Sequence, residues 1–134
     1  MKKFSLSLAI ITAVAALVLA TACKKKPATE EAGVSTAATM DSEAEKGKDL
    51  FTKNACSSCH GDTGKGDGPA GQALTPKPRN YRNLSEYKQG TSQAEIAATI
   101  LKGIPGTSMP PNPALSEADR MAIAKYVVYL QTQP

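Results

Sequence analysis

Apolar residues recur along this chain in two distinct ways. Leu6 to Ala20 is a 15-residue stretch interrupted only by Ser7 and Thr12. From residue 42 onward, apolar side chains return three or four positions apart in three separate segments, the spacing of one face of a helix. The first segment runs from Ser42 through Asn54, with Gly47, Leu50 and Phe51 on one face and Ser42 and Glu45 at capping-box positions. The second opens on another such pair, Ser92 and Glu95, carries Ile96, Ile100 and Leu101, and stops at Gly103. The third begins at Ser116, has Glu117 and Asp119 in its first turn, and carries Met121, Ile123, Tyr126, Val127 and Leu130. Outside these helices no run alternates apolar and polar residues over four or more positions. The pattern predicts an all-α fold of three to five helices joined by long loops.

The first apolar stretch has a different purpose. It follows Lys2 and Lys3, and at 15 residues it is short of the roughly 20 that a spanning helix needs. A positive start and a short apolar core are the marks of a secretory signal. Its end, Leu19-Ala20-Thr21-Ala22-Cys23, resembles the lipobox of bacterial lipoproteins, in which the cysteine is lipidated and becomes the new N-terminus. Ala20 departs from that pattern, where Leu is usual. Ordinary cleavage after Ala20 or Ala22, leaving Cys23 a free thiol, is the alternative. Residues 1–22 are thus expected as a lipoprotein-type signal peptide. Residues 23–41 are expected as a lipidated N-terminus and flexible tether, since Lys24 to Asp41 holds no large apolar residue except Val34 and Met40. The 18 residues of that tether would span roughly 25 Å as a coil. Residues 42–134 remain as the folded domain.

Charge excludes one function class. The net charge of +4 is carried largely by the clusters flanking the signal core, and the folded domain is close to neutral. It has no electrostatic footprint for nucleic acid. Size raises a different question. Residues 42–134 contain only 19 large apolar, Tyr or Met side chains, with no Trp and one Phe. Gly61 to Asn80 adds five glycines, three prolines and almost no core. A domain this small is already marginal on burial, so something other than side chains must fill its middle.

Cys56-Ser57-Ser58-Cys59-His60 supplies a candidate. Two cysteines at i and i+3 followed directly by His is the spacing for covalent c-type haem attachment. On a helix end the two thiols reach two vinyl groups on one porphyrin edge, and the next imidazole points at the iron. The same pair could be a thiol redox site or half a zinc site. Zinc wants four ligands, and the domain offers Cys56, Cys59 and the chain's one His. A thioredoxin-like pair wants a βαβ context, and no strand signal exists.

The far side of such an iron needs a ligand of its own or stays open. Met121 falls on the apolar face of the last helix and reads as core. Met109 sits in Gly103-Ile104-Pro105-Gly106-Thr107-Ser108-Met109-Pro110-Pro111, too rich in Gly and Pro for helix or strand. A lone loop methionine is ordinarily a gap filler. Here, 49 residues after His60 and with prolines on both sides, Met109 is the candidate sixth ligand.

With these motifs the chain resembles a class I monohaem cytochrome c of the bacterial periplasmic type, from about Glu43 to Leu130. The resemblance rests on the C-x-x-C-H motif, the Gly61-to-Pro69 loop after it, the Gly-Ile-Pro-Gly-Thr-x-Met-Pro segment and the closing helix with Tyr126-Val127. It implies a small cytochrome c fold wrapped around one haem c bound through Cys56 and Cys59, with His60 and Met109 on the iron. It implies that Gly47 and Phe51 pack against Ile123, Tyr126 and Val127, and that the Pro69 carbonyl accepts the ring N–H of His60, which would fix its tautomer. It also implies that Arg79, Asn80 and Tyr81 lie near the haem propionates. Two rival readings of the glycine loop fail. A phosphate loop needs Ser or Thr where Gly66 stands, and a calcium loop needs Glu where Ala73 stands.

A His/Met pair saturates the iron and favours its reduced state, leaving one-electron transfer as the chemistry. The expectation is an electron-transfer protein, not an enzyme. It would be monomeric, carry electrons between redox proteins on the periplasmic side of a bacterial membrane, and hang there by a lipid anchor at Cys23. The alternatives are a soluble periplasmic protein, a fixed haem subunit of a larger reductase or oxidase complex, and a haem-based ligand sensor with a labile Met109.

Overall fold

The structure, a computed structural model, describes residues 39–134. The signal segment, Cys23 and the tether as far as residue 38 lie outside the described residues. Four α-helices follow one another: α1 (Ser42–Lys53), α2 (Cys56–His60), α3 (Gln93–Lys102) and α4 (Glu117–Gln131). Single 3₁₀ turns lie at Pro69–Gly71 and Leu84–Glu86. Among the described residues there is no strand, and the fold is the small all-α one expected. No helix among them is long and apolar enough to cross a membrane.

Each long helix starts where a side-chain oxygen can take an unpaired backbone N–H. In α1 that oxygen belongs to Asp41, one residue earlier than the expected Ser42, and it accepts from the Ala44 N–H at 2.9 Å. An Asp caps as well as a Ser, and its charge also complements the helix dipole. This hydrogen bond first, and Lys125 second, holds the Asp41 carboxyl below its ordinary range. Met40 packs partly against the core beside it. In α3 the capping box forms as expected: Ser92 accepts from Glu95 N–H, and the Glu95 carboxylate accepts from Ser92 N–H at 3.0 Å. Its buried face is Ile96, Ala97 and Ile100; Leu101, expected there, is only half-buried. Ser116 caps α4 by accepting from Asp119 N–H at 3.1 Å. There Ile123, Tyr126, Val127 and Leu130 are buried with Ala122 and Ala124, while Met121 sits half-buried at the edge.

The core is assembled where α1 crosses α4. Gly47 is buried, and a Cβ at that position would run into the backbone carbonyl of Ala122 and press on the Tyr126 Cβ. The two backbones therefore approach closer than any side chain allows. The approach brings Phe51 into the interior at 2 % exposure, its ring edge-on to Tyr126 with the two centroids 5.5 Å apart. Two exposed ion pairs flank the crossing, Lys46–Asp119 at 2.9 Å and Lys125–Asp41 at 3.2 Å. Pairs this open to solvent fix register more than they add stability. Against the same face of α4 lies α3, contributing Ile96 and Ile100 to the shared cluster.

Gly47→Ala tests the crossing through competing effects of opposite sign. Helix propensity alone favours Ala by about 1 kcal/mol. The added methyl meets a backbone carbonyl that cannot rotate away, and overpacking of this kind costs roughly 1–3 kcal/mol. The expected outcome is net destabilisation, read as a lower urea midpoint at unchanged slope. A higher midpoint would mean that the helices are not in contact here.

Candidate functional site

The C-x-x-C-H segment forms α2, a helix of five residues joined to α1 by Asn54 and Ala55. Ala55 has φ +56°, ψ +20°, the left-handed conformation that a residue with a Cβ adopts only at a cost. It accepts from Ser58 N–H at 3.1 Å, and its own N–H donates to Thr52 O at 3.0 Å, so both helix ends hold it in that state. The turn re-aims the chain and presents Cys56 and His60 to the interior. Both cysteines are free thiols and half-buried. Burial raises the Cys56 thiol above its ordinary range.

His60 sits among aromatic rings. Tyr81 stacks on it at 4.9 Å between centroids with the planes 23° apart, and Phe51 lies tilted at 6.3 Å. Burial in this surround, and the Arg79 charge after it, lowers its pKa to about 4. The imidazole is therefore neutral at pH 7, the form that binds a metal. Its Nδ1 is buried without a hydrogen-bond partner.

A cleft of about 580 Å³, its open mouth included, lies beside this imidazole. Its walls are mostly apolar and include Cys56, His60, Tyr81, Ile100, Met109 and Val127. Met109 reaches it from the loop after α3, where Ile104 N–H donates to Met109 O at 3.2 Å and Asn112 N–H to Ile100 O at 2.9 Å. The Thr107 hydroxyl donates to Ile104 O at 2.8 Å and accepts from Met109 N–H at 3.2 Å. Hydrogen bonds, besides the prolines expected to stiffen it, thus shape the Met109 loop.

These residues fit the haem that the motif implies. A flat apolar group suits the walls, a neutral buried imidazole and a thioether face the same space, and one of the two thiols lines it. The thin side-chain core is consistent with a group that completes it. Zinc is less well served: among the described residues no group of three or more His, Cys, Asp or Glu could hold a metal ion.

The structure places the remaining candidates differently. Cys59 is half-buried on α2 but does not line the cleft. Pro69 opens the 3₁₀ turn and lines a separate polar groove with Ser57, Ser58, Asp62 and Asp67. Because His60 Nδ1 has no partner, the Pro69 carbonyl does not hydrogen-bond to it in this structure. Tyr81, expected near the haem propionates, is a core residue stacked on His60. Arg79 does line the cleft, with its guanidinium 4.7 Å from the centroid of the Tyr87 ring. Tyr87 itself was not legible as a site residue: it is one loop tyrosine, and only the fold brings it to the cleft wall.

Comparison with known proteins shows the family. The family model described as cytochrome c matches residues 44–131. Among solved structures, a reducing HAO-like protein complex of Kuenenia stuttgartiensis contains a chain similar to this one at 25 % identity and a TM-score of 0.60. The match covers 78 % of this chain and 52 % of that chain, so this chain spans about half its length. No curated protein matches by sequence.

Ala55→Gly probes the turn that aims the site. Glycine gives up conformational freedom worth roughly 0.5–1 kcal/mol, whereas relief of a left-handed Ala returns about 1–2 kcal/mol. The expected result is a small net gain in stability by denaturant titration. A loss of about 1 kcal/mol would show that the turn is not strained.

Proposed function

This chain belongs to the cytochrome c family, and on that footing we propose a single-haem electron carrier with His60 and Met109 as its axial ligands. Haem-based electron transfer, a covalently bound haem c and redox partners come with the family. The ligand set, the single haem and the role as carrier are our reading. The observation that carries it is the common cleft: Cys56, His60 and Met109 line one apolar space from two different segments.

Bound there, the haem supplies a one-electron iron couple whose potential a thioether ligand raises. The chain's own residues do the rest. Cys56 and Cys59 supply the thiols for covalent attachment. His60 offers a neutral imidazole held by the Tyr81 and Phe51 rings. Thr107 and Ile104 hold Met109 in its loop. Ile100 and Val127 keep the surround dry, which disfavours added charge on the iron. With His60 and Met109 both holding the iron, no position would be left there for a substrate, which supports a carrier rather than an enzyme.

Covalent haem in wild type and its ligand are tested together. The holoprotein should retain its colour through denaturation and acid–acetone extraction, while Cys56→Ala with Cys59→Ala should not. Met109→Ala should abolish the weak sulfur-to-iron charge-transfer band of the oxidised protein, lower its potential and admit exogenous ligands. An unchanged spectrum would move the ligand role away from Met109.

We further infer that the carrier works on the periplasmic side of a bacterial membrane, as a monomer anchored by acylation of Cys23. The signal-like residues 1–22 and the lipobox-like approach to Cys23 support this. Stable anchoring takes more than one acyl chain, since one binds only marginally. Lys24, Lys25 and Lys26 add about 1 kcal/mol each near an anionic surface, too little to hold the protein in high salt. A second reading, a fixed subunit of a larger redox complex, is favoured by one observation: the similar solved chain is part of a complex. Fractionation after a high-salt wash separates the anchored form from the soluble one. Wild type should stay with the membranes and Cys23→Ser should be released or remain unprocessed. Release of both would make the protein a free periplasmic cytochrome. Co-purification of wild type with one stoichiometric partner would favour the subunit.

A further inference from the structure

The loop Gly61–Gly68 follows His60 directly and contains no apolar side chain. Hydrophobic packing of its own side chains therefore cannot hold it. One side of it opens on the polar groove shared with Pro69, where Asp62, Thr63 and Asp67 meet solvent. Yet three consecutive carbonyls of this loop each accept a hydrogen bond from a distant donor. Asp62 O accepts from the Tyr126 hydroxyl at 2.8 Å, across 64 residues. Thr63 O accepts from Arg82 Nη1 at 2.8 Å. Gly64 O accepts from Tyr81 N–H at 2.8 Å, and a Cβ at Gly64 would strike the Tyr81 ring. The loop then returns to its origin, as Gly66 N–H donates to His60 O at 2.9 Å.

The geometry points to Tyr126 and Arg82 as positioning residues for His60, acting through the loop that closes on its backbone. The inference rests on the proposed role of His60 as iron ligand. Arg82 is anchored in turn, since its Nε donates to the carbonyls of Gln133 at 3.0 Å and Pro134 at 2.9 Å. One guanidinium thus bridges the glycine loop and the residues that follow α4, a task for a planar fork that an ammonium cannot copy. Burial, and the Asp62 charge after it, pushes the Tyr126 phenol above its ordinary range, so the donor proton stays in place. Tyr126 thus packs against Phe51 in the core and, at its polar end, sets the chain leaving His60.

Tyr126→Phe removes the hydroxyl and keeps the ring; Arg82→Lys keeps the charge and loses the fork. Both are to be read in the reduced, nitrogen-labelled holoprotein by amide hydrogen exchange, with the reduction potential measured alongside. Loss of one strap should speed exchange of the Gly66 N–H about fivefold, the equivalent of one net hydrogen bond. The Gly103 N–H, bonded to Thr99 O at 2.8 Å in another part of the fold, should stay unchanged. The potential should fall in both variants. Lys125→Ala, next to Tyr126 on α4, breaks only the surface pair with Asp41 at the start of α1 and should leave Gly66 and the potential as in wild type. Equal acceleration at Gly66 and Gly103 would overturn the inference, because it would mark a merely structural role. Unchanged Gly66 exchange in a haem-bearing wild type and both variants would overturn it alone. A wild type without covalent haem would overturn the reading of His60 and the inference with it.

Discussion

The contact on which the rest of the domain depends is backbone against backbone: Gly47 of α1 on the Ala122 carbonyl of α4. Removing one side chain lets two helices close, and closure places Phe51 where no exposed position could hold it. Phe51 then touches three rings at once, His60, Tyr81 and Tyr126. One of these belongs to the proposed ligand, one stacks on it, and one reaches the loop beyond it. The distance between helices is thus transmitted to the imidazole through ring contacts whose individual worth is small, roughly 0.5–1.5 kcal/mol each beyond burial.

Chemistry and stability share the same few residues. Ile96, Ile100, Ile123 and Val127 belong to the core cluster and also wall the cleft. In larger proteins a site can be cut into a core that stands without it. Here the apolar residues are too few for that division, and the haem expected in the cleft is structural as well as functional. Evolutionary or engineered change on these walls would therefore alter potential and stability together.

What could be read in the sequence follows from how local each signal is. The helices α3 and α4 declare their starts within four residues, and their caps form at Ser92 and Ser116 as read. The α1 cap moved by one residue because Asp41 and Ser42 are both good caps, and local rules do not choose between adjacent ones. The C-x-x-C-H motif is legible because its chemistry is contained in five consecutive residues. The burial of Tyr81 and the place of Tyr87 on the cleft wall were not legible, for the opposite reason. Their loops carry no periodic pattern, so burial against His60 or Arg79 depends on contacts made by distant chain. The Tyr126 hydroxyl was hidden in the same way: helical spacing assigns it to the core, but says nothing about the carbonyl its far end meets.

The Phe51–Tyr126 contact also has a temporal side. It joins residues 75 positions apart, and closing a loop of that length costs roughly 4 kcal/mol of chain entropy before the contact returns anything. Until α4 has been synthesised, α1 lacks the surface it was shaped to meet, and the intervening segments lack their common floor. The thiols of Cys56 and Cys59 therefore emerge early into a chain that cannot yet bury them. Where a cofactor is to be joined to those thiols, late closure keeps the attachment point open during the interval in which it has to be reached.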